Sequence, residues 1–309
     1  MEQKRITVLG SFVADLAFRV DRLPARGETL LGPSFALGPG GKGSNQAVAA
    51  ARAGGNVSFV SKVGRDPFGA MARDLYAAEG IDASHVYEAS VPTGAAAILI
   101  DAASGDNAII VVPGACFTLS AEEVEAARGL IEQSAVLMAQ LELPLEIVVQ
   151  GIELARSLGV KTVLNPAPAA PLPKSLYPLV DYITPNESET EVLTGVHVGT
   201  IEDAERAADV FLALGVGNAI ITLGAQGAFV KNATLRAHVP AMNAGAVVET
   251  TGAGDGFNGG FAVALTEGLG LVEAVRFGCA TAGISVTRAG TAPSMPQRAE
   301  IEHLLSATR

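Results

Sequence analysis

From residue 135 onward, apolar and polar positions switch repeatedly between a strand-like and a helix-like period. Residues 135–141 form a run that is apolar but for Gln140, short enough for a strand buried on both faces. Pro144 then opens a helix with Leu145, Val148, Val149, Ile152, Ala155 and Leu158 on one stripe, and Gly159 stops it. Further strands are predicted at 160–164, 182–184 and 219–223, and Ser120-Ala-Glu-Glu123 is a capping box that opens another helix. This alternation predicts an α/β fold, a mostly parallel Rossmann-like sheet with helices on both faces.

The first third departs from that rhythm. The apolar run 6–14, closed by Asp15, predicts a first strand rather than a signal peptide, since it lacks a cleavage motif. Residues 17–37 and 94–112 predict short strands, the second pair joined at the turn Ser104-Gly105-Asp106-Asn107. They form a small antiparallel sheet projecting from the main one, a lid of about 12–38 and 94–113 that covers a site or pairs with a second subunit. With no repeat or linker, 1–309 is expected to be a single domain. The uncharged stretch 210–230 is long enough to span a bilayer. Its Gly215, Gly217, Gly224 and Gly227, with Asn218 and Gln226, instead predict a helix end, a strand and a turn, and no membrane partner.

Composition narrows the function classes. The 309 residues are 49% hydrophobic and 17% charged, as in a globular core. A formal net charge of −11, without a lysine or arginine cluster, argues against binding nucleic acid by phosphate neutralisation. Cys116 and Cys279 make neither a CxxC pair nor a metal-ligand spacing, which fits a reducing cytoplasm. The histidines at 85, 197, 238 and 303 show no HExxH spacing, there is no GxSxG elbow, and no HRD or DFG accompanies the glycines.

Four segments carry candidate chemistry. Gly38-Pro-Gly-Gly-Lys-Gly-Ser-Asn45 matches GxGxxG, but the first strand ends about thirty residues earlier, so a dinucleotide fingerprint fails. A Walker A motif fails too, because Gly43 follows Lys42 and Ala36 stands where glycine is required. There remains a glycine-rich turn feeding a helix, either a plain turn or a hydrogen-bonding loop through Lys42 and Asn45. In Glu249-Thr-Thr-Gly-Ala-Gly-Asp-Gly-Phe-Asn258, Gly252, Ala253 and Gly254 open a helix whose free amides suit an anion. Asp255 there is either a helix cap or a base taking a proton from a hydroxyl beside developing phosphoryl charge. Thr184-Pro-Asn186-Glu-Ser-Glu189 is either a helix cap with first-turn acids or a holder of hydrated magnesium and phosphates. Thr222-Leu-Gly-Ala-Gln-Gly227 ends a strand in a glycine turn and faces the same crevice.

Together with Leu-Asn-Pro-Ala-Pro-Ala at 164–169 and Val-Thr-Arg-Ala-Gly-Thr-Ala-Pro-Ser at 286–294, these segments resemble, in order and spacing, the PfkB carbohydrate kinases and within them the ribokinase branch, from near the start of the chain to its end. The resemblance implies that Asp255 is the catalytic base and that Gly252, Ala253 and Gly254 form an anion hole. It places Val13, Ala14, Asp15, Gly41, Lys42, Gly43, Ser44, Asn45 and Glu142 at sugar-binding positions. It places Asn186, Thr222, Leu223, Gly224, Ala225, Gln226, Gly227, Gly254, Asp255 and Cys279 at ATP-binding ones. Asn186 and Glu189 would organise magnesium through water, and Glu249, Thr251, Ser285, Arg288, Gly290 and Ser294 would surround potassium. It further implies a homodimer formed through the lid. Three positions depart from the branch's pattern: Val13 stands for a usual asparagine, Glu249 for an aspartate, and Cys279 for a histidine near the adenine. The implied activity is ATP-dependent phosphorylation of the O5 hydroxyl of D-ribose. The alternatives are a kinase for 2-deoxyribose, another small sugar or a nucleoside, and a silent sugar-binding regulator, which retention of Asp255 and Lys42 argues against.

Overall fold

The computed structural model describes residues 4–101 and 107–308. One sheet has nine strands. From edge to edge they are β13 (Arg236–Val239), β12 (Ala228–Lys231), β11 (Asn218–Thr222), β10 (Tyr182–Ile183), β9 (Lys161–Leu164), β8 (Ser134–Ala139), β1 (Arg5–Leu9), β4 (Asn56–Gly64) and β5 (Asp82–Ala89). The strands from β11 to β5 pair in parallel, as the alternation predicts. β12 and β13 add an antiparallel edge hairpin that the apolar pattern did not announce. Both faces are covered. On β1 and β8, Ile6, Val8, Val136 and Met138 enter one apolar core, while Leu9, Leu137 and Ala139 enter the other. That two-sided burial is why these strands are mostly apolar, the buried Thr7 and Ser134 hydroxyls bonding to each other.

The second sheet falls on the segments expected to form the lid, with strand order β3 (Ser34–Gly40), β2 (Val13–Val20), β6 (Thr93–Asp101) and β7 (Asn107–Gly114). Its β2–β3 and β6–β7 pairs are antiparallel, and β2 and β6 join them along a parallel seam. The turn expected at 104–107 lies outside the described residues, apart from Asn107 at the start of β7.

The single first strand expected over 6–14 is two strands. β1 ends at Leu9 in the main sheet, and β2 begins at Val13 in the lid. The cause is steric. Gly10 lies against the start of helix Lys42–Arg52, where a Cβ would come within 2.6 Å of the Gly43 Cα. The chain turns there, and the Ser11 carbonyl accepts the Ser44 amide at 2.9 Å. Hydrophobic periodicity cannot register a bend between two apolar strands.

Helix Ala253–Thr266 crosses helix Lys42–Arg52 at Gly259, where any side chain would collide with Ala49 and the Gln46 carbonyl. This close crossing brings Asp255 beside Asn45 and Gln46. The stretch 210–230 divides into the end of helix Ile201–Ala213, β11, a short 3-10 turn and β12. Among the described residues no helix is long and apolar enough to cross a membrane.

Candidate active site

The segments with candidate chemistry gather at the carboxyl ends of the parallel strands, where open α/β sheets bind ligands. Gly10 and Ser11 follow β1, Gln140 and Glu142 follow β8, Asn165 follows β9, Thr184 and Asn186 follow β10, and Leu223 follows β11. Between them lies a cleft of about 130 Å³ lined by Lys42, Asn165, Thr184, Asn186, Glu189, Thr222, Gly252, Gly254, Asp255 and Asn258, among others. Its wall is more polar than the protein core.

Asp255 does not cap its own helix. Gly252 is the N-cap, and no side-chain cap bond is made. The Asp255 carboxylate is buried and reaches instead across the helix crossing. Asn45 Nδ2 donates to its Oδ2 and Gln46 Nε2 to its Oδ1, each at 3.0 Å. The Ala253 amide turns back to the Thr250 carbonyl at 3.1 Å. Among the described residues, the amides of Gly254 and Asp255 find no such acceptor, so two donors of the first helical turn stand free beside the carboxylate.

Lys42 supplies the cleft's cation. Burial would lower its pKa, but the negative charges of Asp255, Glu142 and Glu189 outweigh burial and raise it, so the ammonium stays charged. On the opposite wall, Asn186 caps helix Glu187–Thr194: its Oδ1 accepts the Glu189 amide at 2.8 Å and Glu189 Oε2 accepts the Asn186 amide at 2.9 Å. Burial pushes the Glu189 carboxyl up, against the opposing pull of the Asn186 amide and Lys42. The segment is a helix cap, and Asn186 and Glu189 also line the cleft. Among the described residues, no group of three histidine, cysteine, aspartate or glutamate side chains could hold a metal ion.

Toward the lid, Glu142 accepts from the Ser11 hydroxyl and, at 2.8 Å, from the Lys42 amide. Asp15 sits near the start of β2, with the Thr291 hydroxyl 3.4 Å from its Oδ2. Burial pushes its pKa up to about 6, the Thr291 contact opposes this, and Glu142, Asp255 and Glu249 add to the rise. Among the described residues, Asn45 Oδ1 is buried without a partner, an unsatisfied acceptor on the residue that holds Asp255. Val13 and Ala14 are buried at the start of β2. Gly43 and Ser44 serve as support: Gly43 packs on Gly10, and the Tyr76 hydroxyl donates to Ser44 Oγ at 3.2 Å.

At the other end, Thr222 Oγ1 donates to the Pro185 carbonyl at 3.3 Å, and Gly224–Gln226 form an exposed turn after the buried Leu223. Gly227 accepts the Leu223 amide at 2.7 Å and closes that turn. Cys279, on helix Leu271–Ser285, is packed in the apolar core and does not line the cleft. The segments around 249 and 290 are joined, since the Gly290 amide donates to Glu249 Oε2 at 2.9 Å and the Glu249 amide to the Val286 carbonyl at 3.2 Å. Arg288 turns its guanidinium away to Glu300. The hydroxyls of Ser285 and Ser294 bond to the carbonyls of Ala282 and Thr291, and Thr251 lies in the turn before Gly252.

Gln46, Gln140, Asn165, Thr184 and Asn258 form a buried polar seam beside Asp255 that the sequence reading assigned no role. Asn165, Thr184 and Asn258 lie inside segments that carry the resemblance, and Gln46 directly follows the glycine-rich one. A neutral amide carries no charge or periodicity to mark it as anything but surface, and only the fold shows it buried.

Comparison with known proteins adds three findings. The family model described as pfkB family carbohydrate kinase matches residues 3–298. The Haemophilus influenzae ribokinase is 44% identical over 298 residues, 96% of this chain and 97% of that protein, and a Salmonella typhi deoxyribokinase is 35% identical over 97% and 98%. The structure of Arabidopsis thaliana ribokinase with ribose and ATP superposes with a TM-score of 0.91 at 31% identity, covering 98% of each chain.

Proposed function

This chain belongs to the pfkB family of carbohydrate kinases, and on that premise we propose that it transfers the γ-phosphoryl group of ATP to the O5 hydroxyl of D-ribose, giving D-ribose 5-phosphate and ADP. The observation that carries this reading is the buried Asp255 carboxylate set in the same helical turn as two unpartnered amides. That turn offers a proton acceptor and a phosphoryl anion site side by side, the pair that an alcohol kinase needs.

Ribose lies under the lid against Asp15, Glu142, Asn45 and Lys42. Asp255 takes the O5 proton as that oxygen forms its bond to the γ-phosphorus, and the bond from phosphorus to the β-phosphate oxygen breaks with ADP as leaving group. The Gly254 and Asp255 amides and the Lys42 ammonium receive the charge that develops on the transferring oxygens. The nucleotide runs past Asn186 toward the turn Gly224–Gln226 and Gly227. Holding the sugar between fixed groups on two sheets contributes by orientation.

The donor set suits magnesium held through water and phosphate, because Asn186 and Glu189 face the cleft without forming a closed cage. When bound, magnesium would neutralise phosphate charge. A monovalent cation suits the neighbourhood of Glu249, Thr251, Ser285, Arg288, Gly290 and Ser294, where oxygen donors on two segments are already linked by Glu249 and Gly290. There, carbonyl groups rather than the Arg288 side chain would be the ligands. The lid's outer strands expose Phe35, Ile109, Ile110, Val111 and Val112, which supports a homodimer through the lid. Two free buried cysteines are compatible with a cytoplasmic setting.

Val13 favours one further reading, turnover of 2-deoxyribose, since an apolar side chain at the sugar end asks for no hydroxyl partner. A coupled ADP-release assay with magnesium-ATP and a panel of ribose, 2-deoxyribose, fructose and nucleosides tests the proposal. Ribose is expected to give the highest kcat/KM. ADP release that ignores the sugar, or a nucleoside preference, would contradict it.

A further inference from the structure

A run of buried amides stands behind Asp255, and its polarity has one self-consistent solution. Gln46, fully buried, donates from Nε2 to Asp255 Oδ1 and to Asn165 Oδ1, each at 3.0 Å, and its Oε1 accepts from Gln140 Nε2 at 2.7 Å. Asn165 Nδ2 donates to the Thr184 carbonyl at 3.0 Å. A backbone carbonyl can only accept, so Thr184 fixes which way Asn165 stands. Asn165 must then turn its oxygen toward Gln46, and Gln46 must answer with its NH₂ group. An ionised carboxylate is likewise only an acceptor, so Asp255 makes the same demand on the same NH₂. Gln140 completes the run by occupying the remaining Gln46 oxygen.

The second Asp255 oxygen takes its hydrogen bond from Asn45. Lys42, Asp15 and Glu189 are the charged groups that face Asp255 electrostatically. Among the described residues none of them hydrogen-bonds its carboxylate, which therefore rests on two neutral amides. Neutral donors orient a carboxylate through directed hydrogen bonds without pairing it to an opposite charge.

We propose that Gln46 is a positioning residue for phosphoryl transfer: locked by Asn165 and Gln140, it fixes the Asp255 carboxylate in the orientation that the reaction uses. The inference rests on Asp255 as the base. On the proposed reading Asn45 meets the sugar as well as Asp255, whereas among the described residues the Gln46 side chain hydrogen-bonds only to Asp255, Asn165 and Gln140, so its contribution is separable from sugar binding.

The test is a double-mutant cycle on kcat with two Gln46 variants, each made with Asp255 intact and again in combination with Asp255→Asn. Gln46→Glu keeps the shape and the acceptor for Gln140 but sets a carboxylate against Asp255. Gln46→Met is uncharged, and it reads the same cycle if the glutamate variant fails to fold. With Asp255 intact, the cost in kcat is expected to be about 10-fold or more for either variant, with ribose KM within a few-fold. In combination with Asp255→Asn the cost is expected to vanish. With Gln46→Glu, the acid limb of the kcat–pH profile should also move to higher pH, because two adjacent carboxylates hold a proton more tightly. A merely structural glutamine would cost the same factor whether or not the carboxylate is present, and that result overturns the proposal. Near-normal turnover of Asp255→Asn alone would instead overturn the reading of Asp255 as the base, so the two failures are distinguishable.

Discussion

The two sides of the cleft are built on opposite plans. On the phosphate side, helix starts and strand ends of the main sheet meet, and their polar side chains answer one another: Asp255 with Asn45 and Gln46, Asn186 with Glu189, Thr184 with Asn258. On the sugar side the wall is the lid. There Asp15 is half-buried with one long contact to Thr291 and carries a pKa of about 6, and Asn45 Oδ1 has no partner among the described residues. The lid's far surface leaves Ile110 68% exposed. On the phosphate side both oxygens of the Asp255 carboxylate are already held and the open groups are the Gly254 and Asp255 backbone amides, whereas the sugar side holds unmet side-chain demand that a polyhydroxylated ligand satisfies. A site can be preorganised for the chemistry and still hold its specificity in reserve.

The sharpest way to break this contrast is on the phosphate side. Asp255→Asn should fold normally and lower kcat by roughly 10²–10⁴, the range for a lost general base. Circular dichroism and initial rates check this, and a folded variant with near-normal turnover would end the base assignment.

On the unmet side the expected effect lies in stability. Asp15 has a folded pKa of about 6, above its ordinary 3.8, so the native state binds more protons than the unfolded chain between those values. Stability is therefore lost as pH rises through this window, and the penalty is fully present above it. Asp15→Asn should raise unfolding free energy at pH 8 by about 1–3 kcal/mol and give almost no gain below pH 4, while weakening ribose binding. Urea melts at the two pH values measure the first effect, and a destabilised variant at pH 8 would count against the contrast.

A smaller effect concerns Val13. A site that hydrogen-bonds a hydroxyl rejects the analogue lacking it by up to about 10⁴-fold. With Val13 in place of such a partner, kcat/KM for ribose and 2-deoxyribose should differ far less than that, and Val13→Asn should widen the gap. A strong preference for deoxyribose would reverse the assignment of substrate. Least of all, potassium should activate over sodium only modestly, because Glu249 already commits its Oε2 to the Gly290 amide. Initial rates in potassium, sodium and a large organic cation at equal ionic strength check this, with equal rates in all three ruling the cation out.

The same contrast governs what the sequence reveals. Strand and helix alternation from β8 onward, the capping box at Ser120 and the helix ended by Gly159 are legible because each is set within a few residues. The glycine turn before Asp255 is legible for the same reason. The break at 10–12 is not, because it depends on Gly43 packing from another element. Nor is the freedom of Asp255 from capping duty, since its partners lie 209 and 210 residues away in the chain. Gln46, Gln140 and Asn165 escape notice because the chemistry of an amide is defined by what surrounds it, and only the crossing of helices Lys42–Arg52 and Ala253–Thr266 creates those surroundings.

If the contrast is right, the unmet sugar side delivers one particular hydroxyl to the phosphate side. Phosphorus–proton correlation spectra of the product formed from D-ribose and magnesium-ATP test this most directly. Coupling of the new phosphate to the two protons on C5 is the predicted result; a phosphate coupled at C1, or inorganic phosphate with the sugar unchanged, would contradict it.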